Sequence, residues 1–134
     1  LMVEKVLDEI FKLLRREGRL TNEISSILIK NYGEKFFKAL ELVNSRRVRK
    51  IVFVPSKIER WIVIGVQANY LIIPRTYCQC DDFYLSVVIR GSSDACYHLI
   101  AQTIAEALNM YEQQTLSDGH YMEFMREFHE ITGE

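Results

Sequence analysis

The residues able to do chemistry in this chain are its three cysteines and one of its three histidines. They fall into two short motifs. Cys78-Gln79-Cys80 comes first, and Cys96-Tyr97-His98 follows after fifteen residues. Alternate residues of an extended segment project to the same side, so Cys78 and Cys80 can present two sulfurs together. Residues two apart on a helix do not face each other. Cys96 and His98 can therefore share one ligand only if Cys96 precedes the helix or straddles its first turn. Three thiolates and an imidazole form a closed tetrahedral set, which is the donor set of structural zinc. With Zn²⁺ they carry a net charge of about −1, so nearby donors are expected around the sulfurs. A catalytic zinc keeps one position open for water, and this set leaves none. An odd number of cysteines argues against a pure disulfide framework. Alone, Cys-x-Cys reads equally as a redox pair or as buried cysteine; the two motifs in order make the metal reading.

These motifs need a scaffold, and the rest of the chain supplies the pattern for one. Val3, Val6, Leu7, Ile10, Phe11 and Leu14 recur at helical spacing, so residues 3–17 read as a helix stopped by Gly18. Thr21 caps a second helix with Ile24, Ile27 and Leu28 on one face, ending at Tyr32-Gly33. A third, over 34–44, is expected to bury Phe36, Phe37, Leu40 and Val43. The pattern then changes. Val48 to Val54, Trp61 to Val66 and Tyr70 to Ile73 are β-branched and aromatic, separated by turn residues. They read as an antiparallel meander delivering the chain to Cys78. Their apolar runs are nearly continuous, which implies that both faces are covered, one by helices and the other in part by a partner. Phe83 to Ile89 is strand or short helix, and Gly91 to Asp94 is a turn with capping residues. From Cys96, the positions Leu99, Ile100, Thr103, Ile104, Ala107, Leu108 and Tyr111 mark a long amphipathic helix. Ser117 or Asp118 caps a last helix whose stripe of Tyr121, Phe124, Met125 and Phe128 either docks on the core or serves as a partner-docking surface.

The fold class is therefore α+β: a three-helix segment over 1–45, a β-meander over 46–75, a zinc finger over 76–113 leading into a long helix, and a C-terminal helix over 114–134. A single domain of 134 residues can bury a substantial core. No apolar run reaches the ~20 residues of a membrane span, and no signal peptide is visible. An intracellular protein is expected, in cytoplasm or nucleoid if prokaryotic and in the nucleus if eukaryotic.

The charge is uneven. Residues 1–75 hold 15 basic and 8 acidic side chains, a net of +7, while 76–134 hold 2 and 10, a net of −8. Arg46, Arg47, Arg49 and Lys50, with Lys57, Arg60 and Arg75 beyond them, are the nucleic-acid candidates. Trp61, Tyr70 and Tyr77 are nearby in sequence and able to stack on unpaired bases. The plainer reading is a strand edge protected by charge. None of the six glycines belongs to a phosphate-binding G-x-x-x-x-G-K-[ST] loop, so an enzyme or a small-molecule substrate is not expected.

The spacing C-x-C-x15-C-x-H resembles the SWIM-type zinc finger. Thr76 to Val88 looks like that family's knuckle and following apolar segment, and Cys96-Tyr97-His98-Leu99-Ile100-Ala101 like the start of its helix. Upstream, Leu20-Thr21-Asn22-Glu23, Tyr32-Gly33 and Lys38-Ala39-Leu40-Glu41-Leu42-Val43 are similar to the small SWIM subunit of the Shu recombination complex. The resemblance covers about residues 10–118. Tyr97 stands where the family often has a lysine, which lowers the local positive charge, and Asp81 where a proline or another small residue is common. The resemblance implies a non-enzymatic accessory protein of homologous recombination that pairs with a RecA-like recombinase paralogue and helps a recombinase act on single-stranded DNA. A stand-alone nucleic-acid-binding zinc module and a SWIM protein-interaction adaptor of another pathway remain open.

Overall fold

The computed structural model describes residues 5–131. Val3, placed in the first helix by its spacing, lies outside them. Helix α1 (Val6–Glu17) buries Leu7, Ile10 and Leu14 along one stripe. It stops where Gly18 turns left-handed at φ 74 and donates its N–H to the Leu14 carbonyl. The Thr21 side chain accepts from the Ile24 N–H at 3.2 Å and caps α2 (Asn22–Tyr32). Helix α3 (Glu34–Asn44) buries Phe36, Ala39, Leu42 and Val43. Phe37, expected inside, is 53% exposed. It lies about 100° round the helix from Phe36, off the buried stripe.

Five strands form one sheet in the order β4-β3-β2-β1-β5. The meander of β1 (Val48–Val54), β2 (Glu59–Ile64) and β3 (Asn69–Ile73) is antiparallel and continues into the two-residue β4 (Tyr77–Cys78). The fifth strand, β5 (Glu112–Ser117), runs parallel to β1 at the sheet edge. It occupies a segment read as the end of one helix and the start of the next. Its sequence Glu-Gln-Gln-Thr-Leu-Ser is polar and mostly exposed, so it carries no apolar alternation.

Between β4 and the next α-helix the chain winds into a π-helix, Phe83–Ile89. Helix α4 (Tyr97–Leu108) then runs through the interior. It buries every residue from His98 to Ala105 as well as Ala107, so it is buried all round, with the polar His98, Gln102 and Thr103 inside, rather than on one face. It ends where Asn109 turns left-handed, which leaves Tyr111 beyond the helix, and it matches α1 in length. Helices α1 and α3 pack on α4, and α4 packs on the strands. Val48, Trp61, Val63, Ile72 and Cys78 complete that core from the sheet.

The opposite sheet face is covered as well, by the chain itself. After a 3₁₀ turn (Asp118–His120) comes α5 (Tyr121–Ile131). The rings of Tyr121 and Phe124 meet Phe53 at 5.0 and 5.4 Å. Phe128 is 2% exposed, and the Gln79 side-chain amide donates to its carbonyl at 2.8 Å. The stripe of Tyr121, Phe124, Met125 and Phe128 is thus half-buried or buried, not displayed, and it fills the face assigned in part to a partner. The reason is proximity: β5 brings the chain to the edge beside Phe53, and α5 folds back across the apolar face. Neither Ser117 nor Asp118 caps α5; the Asp118 carboxylate instead accepts from the backbone and hydroxyl of Ser56 in the β1–β2 turn.

Candidate metal centre

Cys78 ends β4, which is held in register by pairing with Ile72. The Gln79 N–H then donates to the Leu71 carbonyl, and Cys80 leaves the sheet beyond it. Cys96 is the N-cap of α4, extended at φ −93 and ψ 170, and His98 lies in the first helical turn. Cys96 is therefore not yet helical, which is the condition that lets the two share a site. The cap is Cys96 itself, not a residue of the preceding Ser-Ser-Asp turn. All four side chains are buried, and one donor atom from each lies within 4.8 Å of the others. No other such group occurs among the described residues.

One residue of α3 ties the fifteen-residue loop down at both ends. The Lys35 ammonium lies 3.4 Å from the Asp82 carboxylate, just after Cys80, and donates at 3.1 Å to the Ala95 carbonyl, just before Cys96. Tyr97 and Tyr70 position the imidazole. The Tyr97 ring stacks on it at 4.2 Å and 30°, and the Tyr70 ring meets it at 4.6 Å.

The electrostatics of the thiols identify what the site can hold. Hydrogen bonds from the Cys78 and Cys96 thiols pull the Cys80 thiol far below its ordinary range, against the effect of burial, and the Phe83 N–H adds a bond at 3.3 Å. The Cys78 thiol is driven far up because it donates to Cys80 and Cys96 and is buried. Burial, and then the neighbouring thiolate, push Cys96 up to about 12. One thiolate is thus accommodated, and three require a cation among them. The His98 Nδ1 atom is buried without a protein hydrogen bond, which metal ligation accounts for. Three soft sulfurs and one imidazole suit zinc. Cys78, Cys80, Cys96 and His98 would hold it, and a closed set of this kind supplies cross-linking rather than catalysis.

The seven basic candidates are not brought together. Arg75 lies 3.9 Å over the Phe11 ring and donates to Glu106, clipping the β3–β4 turn to α1 and α4. Lys50 pairs with Glu59 at 3.4 Å and lies over Trp61 and Tyr111. Arg60 donates to the Tyr121 hydroxyl at 2.7 Å. Arg49 is half-buried with its Nε unpaired, and Lys57 sits in the β1–β2 turn at φ 66. Arg46 is exposed and Arg47 half-buried where the chain leaves α3. Of the stacking candidates, Trp61 is 5% exposed, Tyr70 is committed to His98, and Tyr77 packs edge-on against Phe83. The sequence reading missed Lys35, whose partners lie about fifty to sixty residues away, and Lys38, whose ammonium lies 5.6 Å over the Tyr97 ring.

No family profile matches the chain, and no solved structure matches it at a significant level. Curated relatives do. A Dictyostelium discoideum protein described as a zinc finger SWIM domain-containing protein 7 homolog is 31% identical over 123 residues, covering 87% of this chain and 78% of the relative. The Mus musculus and Homo sapiens proteins described as zinc finger SWIM domain-containing protein 7 are 27% and 26% identical, over 94% and 87% of this chain and 84% of each relative. With the Cys₃His cluster assembled in the order the SWIM motif requires, the chain belongs to the family of zinc finger SWIM domain-containing protein 7.

Proposed function

We propose that this protein is a non-enzymatic, zinc-stabilised accessory subunit of homologous recombination that pairs with a RecA-like recombinase paralogue and promotes recombinase action on single-stranded DNA. The observation that carries the reading is the extent of the likeness. SWIM fingers serve several pathways, but here the helical segment, the meander and the finger align together over 78–84% of each relative's length. The likeness of the upstream segments to the small Shu subunit then favours recombination over the other pathways.

The part played by the chain's own residues is architectural. The four ligands lock β4 to α4, and Lys35 locks the intervening loop to α3. That holds the π-helix outward with Tyr84, Leu85, Val88 and Ile89 between 44% and 60% exposed. An apolar cluster of this kind is a surface for another protein. With α5 committed to the sheet, the π-helix is the surface we assign to the recombinase paralogue.

The test is gentle purification of the tagged protein from its own cells, followed by mass spectrometry. A RecA-like ATPase recovered in near-equal amount is the expected result. Recovery of ubiquitin-transfer or transcription components in its place overturns the recombination reading.

A further inference from the structure

We propose that the cavity between α3, the β2–β3 turn and Tyr97 is a binding site for one base and its flanking phosphates in single-stranded nucleic acid. The inference deepens the nucleic-acid part of the reading above and rests on it. Sequence neighbourhood pointed to Arg46–Arg75 and to Trp61, Tyr70 and Tyr77. The fold uses most of those side chains internally and assembles a different set.

The cavity measures about 390 Å³, within the range of small-ligand sites. Lys38, Glu41, Arg47, Val66 and Tyr97 line it. Tyr97 is half-buried, held by its stack on the His98 imidazole, and so presents an aromatic ring fixed in place. A rigid ring is a good stacking platform because little freedom remains to be lost when a base lands on it. Lys38 and Arg47 form no ion pair among the described residues, unlike Lys35, Lys50 and Arg75. Val66, at the rim, is 93% exposed and contributes nothing to packing. An aromatic ring, an apolar rim and two cations without ion pairs are the chemistry of single-strand recognition; Lys38, which lies over the Tyr97 ring, would swing aside to a phosphate as the base stacks in its place.

Lys38 from α3 places its ammonium 5.6 Å over the Tyr97 ring. The corner thus carries a positive charge beside a stacking surface. Glu41 makes the lining charge +1 rather than +2. Its carboxylate repels a phosphate and can accept a hydrogen bond from the amino group of a base.

The experiment is fluorescence anisotropy with the zinc-loaded chain, a labelled cytosine 12-mer and an abasic strand of equal length. The expected result is tighter binding of the base-bearing strand, with Lys38→Ala plus Arg47→Ala weakening it about tenfold. If those two cations neutralise two phosphates, the log–log salt slope flattens by about 1.4, or about sevenfold between 50 and 200 mM salt. Tyr97→Phe keeps the preference for the base-bearing strand, and Tyr97→Ala, assayed at full zinc content, abolishes it. Glu41→Gln tightens both strands. Equal binding of the two strands, or an unchanged slope in the double variant, overturns the proposal. So does displacement by cytidine monophosphate at the strand's own affinity, which would make this a nucleotide pocket. These readouts are independent of the purification test: strand binding by a protein that captures no recombinase defeats the adaptor reading and leaves the site standing.

Discussion

The Tyr97 ring stacks on the His98 imidazole at 4.2 Å and 30°, and the Tyr70 ring packs on the same imidazole at 4.6 Å. One metal ligand is therefore oriented by two aromatic neighbours, one preceding it in α4 and one from β3. Groups that orient a ligand typically contribute 10–100-fold to metal affinity. Tyr70→Ala is expected to weaken zinc binding about tenfold in a chelator competition, while Tyr70→Phe is neutral. Loss of affinity in both variants would point to the hydroxyl instead of the ring.

Zinc loading has a defined proton count. In the metal-free fold Cys80 lies far below the ordinary thiol range, whereas Cys78 lies far above it and Cys96 is pushed up to about 12. The three thiols titrate as one coupled set, which at neutral pH holds one thiolate, favoured at Cys80 by the hydrogen bonds it accepts, and two protons still to be given up. Calorimetry in buffers of different ionisation enthalpy should count about two protons released, and affinity should fall about 100-fold per pH unit of acidification near neutrality. The sign for the metal-free fold is the reverse at high pH. A thiol such as Cys96, raised from 9.0 in the unfolded chain, lends stability below about pH 9 that is lost as pH rises toward 12. Release of three protons would contradict a thiolate in the metal-free set.

Lys35 reaches both ends of the loop between the ligand pairs. Lys35→Met keeps the apolar stem and removes the charge, leaving Asp82 and the Ala95 carbonyl without it. The partly exposed pair contributes little by itself. The expected effect is on the loop: zinc release to a chelator faster by about tenfold, with the melting temperature of the zinc-loaded protein lowered by only a few degrees. Unchanged release kinetics would show that the four ligands hold the loop alone.

The π-helix variant Leu85→Glu plus Val88→Glu alters two side chains that are 44% and 57% exposed. Zinc content and melting temperature should be unchanged, because neither side chain belongs to the core. Capture of the RecA-like ATPase should be lost. Retained capture would remove this surface from the interface.

How far the sequence spoke for the structure depends on the range of each interaction. The ligands were legible because the two motifs exhaust the cysteines and the helix start confines Cys96 to an extended N-cap. Gly18 and Thr21 were legible because a cap acts within one turn of itself. Strand β5 was not, because a polar segment becomes a strand here only by pairing in parallel with β1 some sixty residues away. The role of α5 followed from the same omission: its apolar stripe was visible, but the Phe53 face it covers was not. That the basic candidates do not gather on one surface was hidden for a related reason. Alternation along β1 sends Arg49 and Lys50 to opposite faces, and Arg75 reaches back to Phe11 across the fold. Lys38 and Tyr97 meet only because α3 packs on α4.

The most direct test of the account is zinc-edge X-ray absorption on the protein as purified from its own cells. The account predicts three sulfurs at about 2.3 Å and one nitrogen at about 2.0 Å, with Cys96→Ser replacing one sulfur by a lighter atom or losing the metal altogether. A spectrum of the unaltered protein showing two sulfurs and a bound water, or no zinc at all, would contradict it.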